Sequence, residues 1–322
     1  MSEPKDRNLE RARLVAGHLN LPDDLHPHVH EHLSELTAGK APVIWIQGQN
    51  CTGCSVALVN SDHFNPMDLG QANLSLLYQP NIMAASGDLA VEVIKEVENE
   101  LPGKYLVVLE GSVPTGDGEM FCTFGLTDPT KKLMGRTVPG DRSVFNWLLE
   151  LIPGAEAVLA VGNCASFGGI PMTEAEVTGA TPATDVVEAI DVEKPVINVA
   201  GCPPHPDWVM GTLIELLLWV DQHKEAPVLD DKMRLNKFFE SKVHDACERR
   251  AAFEAKRFLE DWNDVGEDED RCLLKMGCKG PTTHADCPTR LWNYHTSWCV
   301  GMNAPCEGCT EPDFHKKLPH LR

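Results

Sequence analysis

The chain has 322 residues, long enough for two domains with hydrophobic cores of their own, which argues against a miniprotein held together by disulfides. Its 28 basic and 48 acidic residues give a formal net charge of −20, a balance that repels phosphate backbones and anionic membrane surfaces and speaks against nucleic-acid binding. In a chain that opens without a secretory pattern, twelve cysteines are expected to bind metal and to stay out of disulfides.

Taken in chain order, residues 1–40 read as a polar helical extension broken by Pro22 and by Leu25-His26-Pro27-His28. His26, His28, His30 and His32 lack the HExxH order and have no cysteine nearby, so they read as a solvated helical face. The first twenty residues mix acids and bases around no apolar core, which sets the expectation of a cytoplasmic protein, at most attached to a membrane through a partner.

Over residues 41–225, short β-branched runs alternate with helical stretches. VIWIQG (43–48), YLVVLEG (105–111), AVLAVGN (157–163) and PVINVAG (195–201) are mainly apolar and close at or beside a glycine, as parallel strands covered on both faces do. Asp88–Glu100 and Arg142–Leu151 carry amphipathic helical spacing between them. The pattern is that of an open, doubly wound α/β sheet. The longest mainly apolar run, Trp208 to Val220, falls short of the roughly 20 residues that cross a bilayer and reads as a buried helix, so no transmembrane segment is expected.

Three of the four strand runs lead straight into a cysteine: Gln47-Gly48-Gln49-Asn50 into Cys51, Gly162-Asn163 into Cys164, and Ala200-Gly201 into Cys202. Parallel strands share one carboxyl edge, where α/β sheets bind ligands, so Cys51, Cys54, Cys164 and Cys202 are placed to converge there. Taken alone, the C-x-x-C of Cys51 and Cys54 could be a redox dithiol. Four converging thiols suit a four-cysteine zinc site or a 4Fe-4S cluster, and two ligands arriving singly from distant strands favour the cluster. Gly48, Gly111, Gly162, Gly168, Gly169 and Gly201 would admit a bulky group close to the backbone, and Pro203-Pro204 stiffens the chain beyond Cys202. Glu110, ending its strand, is expected to be buried.

Residues 226–322 lose the alternation and become loop-rich, with seven of the twelve cysteines beyond residue 240. The acidic run GEDED (266–270) reads as a solvated loop. His244, Cys247, Cys272 and Cys278 form one candidate set, and Cys287, Cys299, Cys306 and Cys309 another. A second, smaller domain with a core that depends on inorganic clusters is expected here. Cys122, in MFCTFG, belongs to no set and reads as a buried free thiol.

The segments CTGCSVALVNS, LEGSVPTGDG, VGNCASFGGIP, AGCPPHPDW, VHDAC, CLLKMGCKGPTTHADC and PCEGCTEPDF, in this order, resemble the small subunit of nickel-iron hydrogenases over residues 42 to 314. The resemblance implies a flavodoxin-like domain followed by a loop-rich iron-sulfur domain. It further implies three clusters that relay electrons between a nickel-iron site in a large subunit and an unidentified acceptor during reversible H2 oxidation. By the family pattern, Cys51, Cys54, Cys164 and Cys202 would hold a proximal 4Fe-4S cluster. A distal one would fall to His244, Cys247, Cys272 and Cys278, and the medial one to Cys287, Cys299, Cys306 and Cys309.

Many relatives have proline where this chain has Cys299 and carry a 3Fe-4S medial centre. The thiol here implies 4Fe-4S, as in the nickel-iron-selenium branch. Gly53 and Gly169 stand where oxygen-tolerant relatives carry extra cysteines, and Asn50 stands where many carry a glutamate. A higher oligomer of heterodimers is also implied. A hydrogen-sensing regulatory subunit is the alternative use of the same parts.

Overall fold

The computed structural model describes residues 42–61, 75–128, 132–133, 136–137, 140–220, 225–264 and 270–317. The expected N-terminal extension with its four histidines, and all of the acidic run except Asp270, lie outside the described residues.

The four expected strand runs are strands: β1 (Pro42–Gln47), β3 (Leu106–Glu110), β4 (Ala157–Val161) and β5 (Val196–Val199). A fifth, β2 (Ser75–Tyr78), pairs with the outer edge of β1. All pairings in the sheet are parallel and its order is β5-β4-β3-β1-β2. That is the flavodoxin-like winding, with its switch point between β1 and β3. The doubly wound α/β expectation therefore holds.

The strands are apolar on both faces because both faces are covered. Ile44, Ile46, Val107, Leu109, Val158 and Ala160 face helices α1 (Asp88–Glu100) and α2 (Val144–Gly154), burying Ile94, Val97, Trp147, Leu148 and Leu151. Val43, Trp45, Leu106, Val108, Leu159, Val161, Ile197 and Val199 face α3 (Pro206–Val220), which is buried from Pro206 through Leu218. The same cluster continues into the cysteine-rich region through Phe238, Phe239, Leu273, Trp298 and Val300.

Helix α1 has the limits expected, whereas α2 begins two residues later than its periodicity suggests. Arg142 and Ser143 end a short strand, Gly140–Ser143, that pairs antiparallel with Thr123–Asp128. Ser143 then caps the helix, its hydroxyl accepting from the Asn146 N–H at 3.1 Å. Among the described residues no helix is long and apolar enough to cross a membrane.

Candidate metal centres

At the carboxyl edge of the sheet, the loops after β1, β4 and β5 bring Cys51, Cys54, Cys164 and Cys202 together. Burial raises the Cys54 thiol well above the usual range, and the nearby Glu110 carboxylate and the Cys164, Cys202 and Cys51 thiols push it further. Burial pushes Cys202 up to about 12, with Cys164 and Cys51 adding to the shift. Thiols so placed stay protonated unless a cationic centre takes their charge.

Two glycines show how tightly the backbone wraps these sulfurs. At Gly162 (φ +90°) an added Cβ would sit 2.4 Å from the Cys54 sulfur, and at Gly169 (φ +59°) 2.5 Å from that of Cys164. The other four expected glycines serve different needs. Gly48 and Gly111 let the ends of β1 and β3 cross, Gly168 clears Met172, and Gly201 clears Pro204.

Glu110 is fully buried beneath this edge. Its carboxylate accepts from Trp45 Nε1 at 2.8 Å, Gln47 Nε2 at 3.2 Å and the Ser55 N–H at 3.2 Å, and from the Ser55 hydroxyl. Cys122 is only half-buried, its sulfur 3.9 Å from the Gln47 carbonyl, and burial raises it to about 11.

The second set lies on short turns. His244 belongs to the turn Val243–Ala246 with Cys247 next, while Cys272 and Cys278 flank the turn Leu273–Met276. All four side chains line one cavity, closed by Leu273, Pro281, Trp298 and Val300. The imidazole of His244 is held edge-on by the ring of Phe253, centroids 4.4 Å apart.

The third set joins the other two. Burial raises Cys287 well above the usual range, with Cys309 and Cys306 adding to it, and Cys299 contributes to the raised thiols of Cys306 and Cys309. Cys299, Cys309 and Cys202 line a common cavity of about 410 Å³. Towards the second set, the Cys306 N–H lies 3.3 Å from the Cys278 sulfur.

Backbone amides point at the sulfurs in a repeated way. The N–H of Arg249 donates to Cys247, that of Leu274 to Cys272 and that of Gly308 to Cys306, in each case two residues on. The N–H of Ile170 donates to Cys164. Such donors favour the thiolate, which is the form that binds iron. Among the described residues no three His, Cys, Asp or Glu side chains stand together as the ligands of a single metal ion do. A donor set of cysteine thiols and one imidazole, with backbone N–H groups beside the sulfurs, has the chemistry that iron-sulfur clusters use.

Long-range contacts that motif reading does not reveal hold the sets in place. Arg290, three residues after Cys287, bonds Asp207 of α3 at 2.9 Å and Asp286 at 2.8 Å. Asp286 also accepts from Trp208 Nε1 at 2.8 Å. His205 Nδ1 accepts from the Asp207 N–H at 3.1 Å, so its proton is on Nε2 and faces the Leu291 carbonyl at 2.7 Å. Asn163, the residue before Cys164, donates from Nδ2 to the carbonyls of Cys309 at 3.0 Å and Glu311 at 2.9 Å.

Comparison with known proteins bears on both halves of the chain. Residues 239–321 match the family described as the C-terminal part of the NiFe/NiFeSe hydrogenase small subunit, and residues 51–216 match that described as NADH ubiquinone oxidoreductase, 20 Kd subunit. The periplasmic [NiFeSe] hydrogenase small subunit of Desulfomicrobium baculatum is 37% identical over 93% of this chain and 92% of its own length. The Hydrogenase-1 small chain of Escherichia coli K12 is 35% identical over 85% of this chain and 68% of its own. A crystal structure of the reduced, active Ni-Fe-Se enzyme from Desulfomicrobium baculatum superimposes with a TM-score of 0.78, covering 87% of this chain and 98% of that one. The recombinant [NiFeSe] hydrogenase of Desulfovibrio vulgaris Hildenborough gives 0.77 at 38% identity.

The cytoplasmic expectation is overturned, because the relative that matches over nearly its whole length is a periplasmic protein. The cysteine count could not have decided the compartment. Thiols bound to iron are withdrawn from disulfide exchange in an oxidising space as well as in a reducing one.

Proposed function

Because the chain belongs to the small-subunit family of nickel-iron and nickel-iron-selenium hydrogenases, whose catalytic site is in the large subunit, we propose that it is the electron relay of such a complex. In this reading Cys51, Cys54, Cys164 and Cys202 hold the proximal 4Fe-4S cluster. Cys287, Cys299, Cys306 and Cys309 hold the medial one, and His244, Cys247, Cys272 and Cys278 the distal one. The sheet domain (41–225) carries the first, and the C-terminal region (226–322) the other two. Bound clusters supply one-electron transfer.

The observation that carries this reading is the gathering of twelve donors from distant positions into three adjoining sets, with backbone amides aimed at the sulfurs. Glycine backbone at 162 and 169 leaves the proximal sulfurs no protein side chain to pack on from those directions. The N–H donors hold thiolates and tune them, since hydrogen bonds to sulfur raise a cluster's potential. His244 puts a neutral ligand at one end of the series, which makes that centre easier to reduce than an all-thiolate one.

The large subunit is expected at the carboxyl edge of the sheet. Cys51 is exposed there, and exposed apolar side chains stand on segments leaving four strands: Val56 after β1, Ile82 after β2, Met120 and Phe121 after β3, and Ile170 after β4. Apolar groups in one region mark a surface that a partner covers.

The testing experiment is anaerobic purification of the complex, with iron, nickel and zinc analysis and electron paramagnetic resonance of oxidised and reduced samples. The reading expects about twelve irons per small subunit and nickel in the partner chain. Zinc in place of iron would overturn it.

A further inference from the structure

The proximal and medial sets come from opposite parts of the chain, yet one buried side chain connects them. Asn163 is 1% exposed and opens the helix Asn163–Phe167 that carries Cys164. Its backbone N–H donates to the carbonyl of Gly201 at 2.7 Å, next to Cys202. Both hydrogens of its side-chain amide are used on the segment of Cys309, at 3.0 Å to the Cys309 carbonyl and 2.9 Å to that of Glu311. Two carbonyl oxygens can be faced only by the NH2 end, which fixes the orientation of the amide.

The 309–311 segment is held at every carbonyl. The Thr310 carbonyl between those two accepts from Arg234 Nη1 at 2.8 Å, and Arg234 is itself buried against Asp230. In addition Cys202 and Cys309 line one cavity, so the two segments meet there directly. Asn163 therefore touches all three chain segments that meet between the two sets: its own, that of Cys202 and that of Cys309. The Oδ1 atom of Asn163 is buried and has no hydrogen-bond partner. An apolar residue here would be relieved of that cost, so the amide is retained at a site where the polar group is partly wasted.

We propose that Asn163 is a positioning residue for electron transfer, fixing the Cys309 segment against the Cys164 and Cys202 loops so that the proximal and medial centres keep one separation. The inference rests on the relay reading above. Removing the two donors leaves the carbonyls of Cys309 and Glu311 buried without them. The segment then shifts relative to the Cys164 and Cys202 loops.

The test uses the purified complex with Asn163→Leu, which keeps the bulk and removes both donors, and Asn163→Ser, which keeps a single small donor. Asn198→Leu is the control. It is an equally buried amide, 3% exposed, that donates to the Lys232 carbonyl at 2.9 Å and bonds to neither set. Iron content, redox titration and the magnetic interaction between the two centres in partly reduced samples are measured. Expected in Asn163→Leu is wild-type iron with a weakened proximal–medial interaction, a shifted medial potential and slower filling of the medial centre after H2 is added. Asn198→Leu should behave as wild type.

Unchanged interaction and potential in Asn163→Leu would overturn the proposal, as would the same change in Asn198→Leu. If Asn163→Leu fails to assemble, Asn163→Ser decides: a weakened interaction supports the proposal and a wild-type one overturns it. A wild-type complex without iron would defeat the relay reading itself, before any variant is compared.

Discussion

The cradle around Cys54 can be tested with a single methyl group. Gly162→Ala introduces two costs. Alanine at φ +90° and ψ 160°, a region essentially reserved for glycine, carries a backbone penalty of about 1–3 kcal/mol. In addition its Cβ lands 2.4 Å from the Cys54 sulfur, so one of the two must move by about 1 Å or more to reach ordinary contact. Gly87→Ala separates these terms, because Gly87 has φ +62° and nothing within 4 Å of an added Cβ. Both variants therefore put a side chain on positive-φ backbone, and only Gly162→Ala displaces the thiol. In complexes purified anaerobically, Gly87→Ala should keep its iron, whereas Gly162→Ala should fall from about twelve irons to about eight as the proximal centre is lost. Loss of the centre next to the large subunit should also abolish H2-driven dye reduction. Full iron, an unaltered proximal signal and wild-type turnover in Gly162→Ala would refute the argument that Cys54 is placed by this contact.

Three further outcomes follow from the same structure. Arg290→Met leaves Asp207 and Asp286 without their cation in a site where the Arg290 side chain is 7% exposed, and should destabilise the complex by about 3–5 kcal/mol in denaturant or thermal unfolding. Cys299→Ala should lower iron by about one atom per small subunit and produce an oxidised 3Fe-4S signal, while unchanged iron would make Cys299 a bystander. Burial lowers the His205 pKa, with Asp207 opposing. The unfolded chain therefore takes up this proton more readily, and the stability it contributes is complete above about pH 6.5 and is lost as pH falls below that value. Wild type should lose up to about 1.4 kcal/mol per pH unit more than His205→Gln in this range, and parallel profiles would show that His205 does not titrate on unfolding.

What could be read beforehand was what is local. A strand such as Val43–Ile46 or Ala157–Val161, buried on both faces, announces itself as an unbroken apolar run. Asp88–Glu100 announces itself by its period. Cysteines directly after such strands must lie at one sheet edge, which is why the proximal set could be assembled before any coordinates. Ser75–Tyr78 escaped because four residues at an edge are too few for a pattern to emerge. The start of α2 escaped because Arg142 satisfies helical spacing as well as strand pairing, and the pairing with Phe124 decided it. Arg290 with Asp207, and Asn163 with Cys309, are separated by 83 and 146 residues, so no periodicity connects them. Only the packing of the cysteine-rich region on the sheet does. Compartment was misjudged because it was inferred from the composition of the first twenty residues, whereas the periplasmic relative matches this chain over 92% of its own length.

The apolar cluster on one face of the sheet runs without a break from Val43 and Trp45 through α3 to Phe238, Phe239, Leu273 and Trp298. For engineering, this means that the C-terminal region with its eight proposed ligands is not a portable ferredoxin-like cassette. Cut free near residue 225, the piece would present the underside of its own core to water, and a graft onto another scaffold would have to bring along the helix and sheet face it rests on.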